Sequence, residues 1–273
     1  MRLNAPYPSI GDTLCISAVA EAYYSQNNEP IYLSVPLSGS LPSLFENNPK
    51  VVILENADDT IELNPCTVYH CNIIRNFFNQ LGLEYNVNLI PKIYLSKGEV
   101  EFGDQITSKY KDTKIIAVCL FSSVDCKDVK YDNLLPLLKK LKYDDGCTLL
   151  LVGQTKIDDY GRVFDEQLTN FSLRQIFSIM SNSDLYLGVD TGLYHAAAAL
   201  DIPQVVFFRN CGCENNQYHN TSYLPSFIKC SDYCSNTPNV AHCLPSLQGR
   251  CIDNFPWGKY YNLICRELNI ENR

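Results

Sequence analysis

Residues 183–208 read SDLYLGVDTGLYHAAAALDIPQVVFF. An apolar run ends at Asp190, Thr191 and Gly192, a histidine follows at position 195, and an alanine-rich segment then runs toward Pro203 and a second apolar run, QVVFF. Gly192 lets the chain turn without a Cβ penalty, and the alanines favour a helix that packs closely on a sheet and stops before the proline. The pattern is strand, sharp turn, helix, strand. A helix that starts at the end of a strand points unpaired N–H groups and its positive dipole end into the crevice beyond the sheet, which suits a phosphate group. His195 lies four residues after Thr191, hence on the same helical face near that mouth. A plainer account fits this stretch alone equally well: Asp190 or Thr191 merely caps the helix and His195 is a half-buried helix residue.

Working outward, the same alternation recurs. In the second half, IIAVCLF (115–121), CTLLLVG (147–153), DLYLGV (184–189) and QVVFF (204–208) read as strands, separated by helices over 132–142, 172–182 and about 193–200. Continuous apolar runs between helices are what parallel strands buried on both faces look like. In the first half, PIYLSV (30–35), KVVIL (50–54) and CTVYH (66–70) read as strands, with helices over 12–24 and 71–82. The stretch from Asn86 to Asp112 is mixed and charged and holds the boundary. The expectation is therefore an α/β protein of two Rossmann-like domains, 1–108 and 109–273, the second carrying a cysteine-rich segment over 211–251 and a C-terminal helix. Their parallel sheets face a central cleft. Ligands in such sheets sit beyond the carboxyl ends of the strands, so a site is sought just after each one.

Composition narrows the function classes. A net charge of −8 and a pI near 5.0 speak against a phosphate-backbone binder, so nucleic acid is not an expected partner. No transmembrane segment is expected, because no 18-residue apolar stretch occurs, and MRLNAPYPSIGD lacks the features of a signal peptide. The expected location is cytoplasmic. In that compartment the 13 cysteines read as thiols or metal ligands rather than disulfides. Cys230, Cys234, Cys243 and Cys251, spaced C-x3-C-x8-C-x7-C, are compatible with a four-thiolate structural site for zinc or iron, with free buried thiols or a disulfide as alternatives. His242 is a substitute ligand.

The segment 183–208 resembles the donor-binding segment of the lipopolysaccharide heptosyltransferases: Asp, then Ser or Thr, Gly, two variable residues, His, and a small-residue helix ending at a proline. FSLRQIFSIMSNSDL, SIGDTLCISAVAEAYY, FENNPKVVIL and the C-terminal cysteines agree in order and spacing. The resemblance implies the two-domain GT-B fold and an inverting glycosyltransferase without a catalytic metal. A sugar, heptose in relatives, would pass from a nucleotide diphosphate, ADP-sugars being favoured, to a hydroxyl of a glycan, a lipid-linked saccharide or a protein. Asp12 would be the general base, with Gly11 and Thr13 near the acceptor and the departing phosphate. Asp190, Thr191, Gly192 and His195 would hold the donor, together with Ser122 and a lysine that is either Lys127 or Lys130. Gly153 turns where the nucleotide base would find a wall, and Gln154 is a further donor contact. Phe171 and Leu173 are placed to pack on the base or in the core. Two features depart from the family: the first strand is confined to MRLNAPYP, with two prolines, and the chain is compact. A non-catalytic nucleotide-sugar-binding protein and a nucleotide-sugar epimerase of the same architecture stay as alternatives.

Overall fold

The computed structural model describes residues 1–36, 40–65, 72–84, 90–123, 127–208, 218–224 and 256–271. Two sheets carry it. In the first, β1 (Arg2–Asn4), β2 (Ile31–Ser34), β3 (Val51–Leu54) and β4 (Ile61–Glu62) lie in the order β3-β2-β1-β4. In the second, β5 (Ile115–Cys119), β6 (Thr148–Val152), β7 (Glu166–Leu168), β8 (Leu185–Val189), β9 (Gln204–Phe207) and β10 (Thr221–Ser222) lie in the order β10-β9-β8-β5-β6-β7. Each of these pairings is parallel. Both orders reverse direction beside the first strand of the half, between β1 and β4 and between β5 and β8, and a crevice opens at such a reversal.

The elements sit close to where the apolar runs put them. β5, β6 and β8 are buried along their whole length, as strands covered on both faces must be. The helices are α1 (Ile10–Asn27), α2 (Ile73–Leu81), α3 (Lys97–Thr107), α4 (Tyr131–Lys139), α5 (Leu173–Met180), α6 (Gly192–Ala199) and α7 (Trp257–Leu268). Ser9 caps α1, its Oγ accepting from the Asp12 N–H, and Asn28 ends the helix in the left-handed region. Differences from the sequence reading are informative. The expected strand 66–70 lies outside the described residues, and Ile61–Glu62 is a further strand that the apolar runs did not mark. The mixed stretch after Asn86 contains α3, opened by a reciprocal capping box between Ser96 and Glu99. The first strand keeps only three residues, yet it is central, bonded to both β2 and β4, and the chain leaves it before either proline.

α1 has no polar face through its first half. Residues Thr13 to Ala20 are all buried, because this helix lies on the first sheet and is covered by α6 from the second half. Small residues on both helices, Cys15 and Ala18 on α1 and Ala196 to Ala199 on α6, permit that approach. One apolar core consequently runs from Leu3, Leu14 and Ile31 through α6 to the Ala117 and Val152 face of the second sheet, while a separate core fills the opposite face beneath α4 and α7.

Candidate active site

A cavity of about 740 Å³ opens where the N-termini of α1 and α6 meet, within the size range of small-molecule sites. From the first half, Pro8 to Asp12, Ser40 and Ile73 line it. From the second come the ends of β5, β6 and β8, the loop at Lys127, and the start of α5. The two helix ends touch through glycines. A methyl group on Gly11 would lie 2.5 Å from Cδ2 and 3.0 Å from Nε2 of His195, and one on Gly192 would lie 2.7 Å from the Ile10 side chain. Glycine at both positions is therefore a condition of the contact.

The polar groups converge on Asp190. Lys127 Nζ donates to its Oδ2 at 2.8 Å, and His195 Nε2 stands 3.8 Å from its Oδ1. Burial pushes the Asp190 carboxyl up, but Lys127 and His195 more than offset this and hold it below the usual carboxylate value. Burial lowers the His195 imidazole, against the pull of Asp190 and Asp12, so the ring is neutral near pH 7. Asp12 moves the other way: burial raises its carboxyl, and His195, Ser9 and Lys127 only partly counter it. Behind the imidazole, Nδ1 is 2.6 Å from the Tyr218 hydroxyl and 3.6 Å from Cys15 Sγ.

At the α6 terminus, the Thr191 hydroxyl accepts from Leu193 N–H at 3.0 Å and its carbonyl accepts from Tyr194 N–H. Among the described residues the Gly192 N–H has no acceptor, and it faces the cavity end of the helix dipole.

Of the residues singled out in the sequence, Gly11, Asp12, Ser122, Lys127, Gly153, Gln154, Asp190, Thr191, Gly192 and His195 all line the cavity, as do Phe171 and Leu173. Gly153 holds φ at +128°, a turn that glycine tolerates best. Two are placed elsewhere. Thr13 is fully buried, since one residue beyond Asp12 is about 100° around the helix, and its hydroxyl has no partner among the described residues. Lys130 is exposed at the cap position of α4, three residues past the loop position that turns Lys127 inward. Cys230, Cys234, Cys243, Cys251 and His242 lie outside the described residues. The four described cysteines, Cys15, Cys119, Cys147 and Cys265, are buried and free. Tyr218, Cys15, Cys119 and Ser40 belong to the site or its backing, and no local motif marks any of them.

Two parallel doubly wound sheets with a cavity at the facing strand ends are the GT-B architecture. The model of glycosyltransferase family 9 (heptosyltransferase) matches residues 75–218, and the chain belongs to that family. Its chemistry is glycosyl transfer. The chain is similar in structure to the Escherichia coli ADP-heptose lipopolysaccharide heptosyltransferase II, with a TM-score of 0.69 at 13% identity over 98% of each chain. It is similar also to a family 9 glycosyltransferase from Veillonella parvula, with a TM-score of 0.66 at 13% identity over 82% of this chain and 85% of that one. For the dodecameric, iron-containing glycosyltransferase TibC of enterotoxigenic E. coli the TM-score is 0.67 at 13% identity, over 98% of this chain and 76% of that one. TibC is also solved with ADP-D-β-D-heptose. No curated protein is significantly similar in sequence. No helix among the described residues is long and apolar enough to cross a membrane.

Proposed function

We propose that the chain transfers a sugar from a nucleotide diphosphate to an acceptor hydroxyl with inversion at the anomeric carbon. The observation that carries this is the juxtaposition, in one cavity, of a half-buried carboxylate on α1 with a lysine and a helix N-terminus on the second half. Asp12 accepts the proton of the attacking hydroxyl. Its burial suits the task, because a carboxylate raised toward the working pH is a better base. The new bond forms between that oxygen and the anomeric carbon as the bond from this carbon to the diphosphate breaks, and the electron pair leaves on the phosphate oxygen. Lys127 and the Gly192 N–H face that developing charge, and such preorganised donors replace a cation in this reaction. The apolar end formed by Val152, Phe171, Leu173 and Ile176 fits a nucleotide base, and ADP is the favoured nucleotide because TibC binds an ADP-sugar. Lys127, and not Lys130, is the phosphate lysine on this reading.

Asp12→Asn is the test. It should keep ADP affinity within about threefold while turnover falls by roughly 10² to 10⁴, the usual weight of a general base. Undiminished turnover removes the base, and lost ADP binding in the unaltered protein removes the donor site. The second reading, a binding protein without turnover, gains nothing from the short first strand, since β1 is fully paired and Asp12 reaches the cavity.

A further inference from the structure

We propose that Tyr218 is a positioning residue whose hydroxyl donates to Nδ1 of His195, fixing the neutral imidazole with its proton on Nε2 and so presenting an N–H to the cavity. This rests on the donor-site reading for its role in transfer, but on geometry alone for the tautomer. Tyr218, His195 and Cys15 are all buried, at 5%, 5% and 0% exposure. Tyr218 Oη lies 2.6 Å from His195 Nδ1 and 3.6 Å from Cys15 Sγ, and the tyrosine ring stands edge-on to the imidazole at 82°.

Two directions of hydrogen bonding satisfy these distances. In one, Cys15 S–H donates to Tyr218, Tyr218 O–H donates to Nδ1, and Nε2–H points at the cavity. In the other the whole chain reverses, Nδ1–H donates to Tyr218, and the bare Nε2 lone pair faces outward. The groups facing His195 decide between them. Asp190 Oδ1 is 3.8 Å from Nε2, and the Asp12 charge also acts on the imidazole. A lone pair turned toward this carboxylate is repelled, whereas an N–H is attracted. Lys127, the cation present, is already turned to Asp190 at 2.8 Å. The reversed chain also leaves the Cys15 S–H without an acceptor among the described residues. Gly11 completes the arrangement, since any side chain there would strike the Cδ2–Nε2 edge that faces the cavity.

The consequence is that His195 donates to the departing diphosphate as a neutral group, and that a buried tyrosine, remote from the donor, sets this. Nitrogen NMR of protein labelled at histidine tests it. The chain has four histidines, so a His195→Gln variant identifies the signal. In the unaltered protein Nε2 should be the protonated, pyrrole-type nitrogen and Nδ1 the bare, pyridine-type one; the opposite assignment overturns the proposal without need of any variant at Tyr218. In Tyr218→Phe the signals should move toward a mixture of tautomers, with turnover about tenfold lower, the size of one lost hydrogen bond, and ADP affinity less affected. A Tyr218→Phe protein that folds and keeps the Nε2–H tautomer unchanged also overturns it. ADP added to the unaltered protein should shift the Nε2 signal. If ADP binds without doing so, or fails to bind, the donor-site reading falls while the tautomer assignment is judged on its own spectrum.

Discussion

Lys127 and Lys130 lie three residues apart and look alike in the sequence, yet one is tied to Asp190 inside the cavity and the other is exposed. Lys127→Ala should weaken ADP binding about 10- to 100-fold, as expected for a charge-assisted hydrogen bond worth about 1.5–3 kcal/mol. Lys130→Ala should change it by less than about twofold, as surface charges do. Calorimetric titration of both variants with ADP checks the pair, and equal losses would contradict the assignment of Lys127. Asp12 adds a pH dependence. Because burial raises its carboxyl, the acidic limb of kcat/KM should lie above the ordinary value of 3.8 for an aspartate, with activity falling as pH drops through it. A limb at or below that value would contradict the burial of the base.

At the scale of elements, the packing of α3 on α5 is where a small change should be felt most. A Cβ on Gly103 would press into the backbone carbonyl of Ser178, which cannot swing aside. Gly103→Ala, despite its better helix propensity, should therefore destabilise by about 1–3 kcal/mol, measured by urea unfolding; a more stable variant would contradict the contact. The same pair of helices carries an ion pair. Arg174, buried on α5, donates to both oxygens of Glu99 at 2.6 and 2.7 Å and to the Tyr94 carbonyl, while Asn47 from the first half also donates to Glu99. The Arg174 hydrogen bonds hold the Glu99 carboxyl down to about 2, from 4.5, against the effect of burial. With the folded value below the unfolded one, this contribution is complete above about 4.5 and is lost as pH falls toward about 2. The stability difference between the unaltered protein and Glu99→Gln should thus be largest above that range and shrink toward its acid end. A difference that stays constant from pH 7 to pH 3 would show that the ion pair carries none of it.

The whole molecule has a lopsided charge. Residues 1–108, the half that faces the acceptor in the proposed reaction, hold five Lys and Arg against twelve Asp and Glu, out of a total of −8 for the chain. A field of that sign repels polyanions and does not steer them in. A saccharide acceptor carrying phosphate should accordingly show a higher KM than its dephosphorylated counterpart, and the gap should narrow as salt screens the surface. Preference for the phosphorylated member would overturn this. α1, held between the first sheet and α6, joins the two halves into one continuous core, so the cleft is bounded by packed helices.

The amino-acid sequence by itself determined the strands of the second half, the turn at Asp190 to Gly192 and the helix after it. Each is a local matter of apolar runs, a Cβ-free turn and alanine propensity. It also held signs that are easily passed over, such as the Ser96 to Glu99 capping box that opens α3 within a charged stretch. Only tertiary structure decided the rest. β1 is a strand because β2 and β4 pair with its three residues, for nothing in Arg-Leu-Asn favours extension strongly. Lys127 was separated from Lys130 by a loop that turns one toward Asp190. Tyr218 and Cys15 meet His195 from positions 23 and 180 residues away along the chain; the first contact needs the chain to return to α6 after β9 and the second needs α1 to pack on α6, and no local pattern announces either.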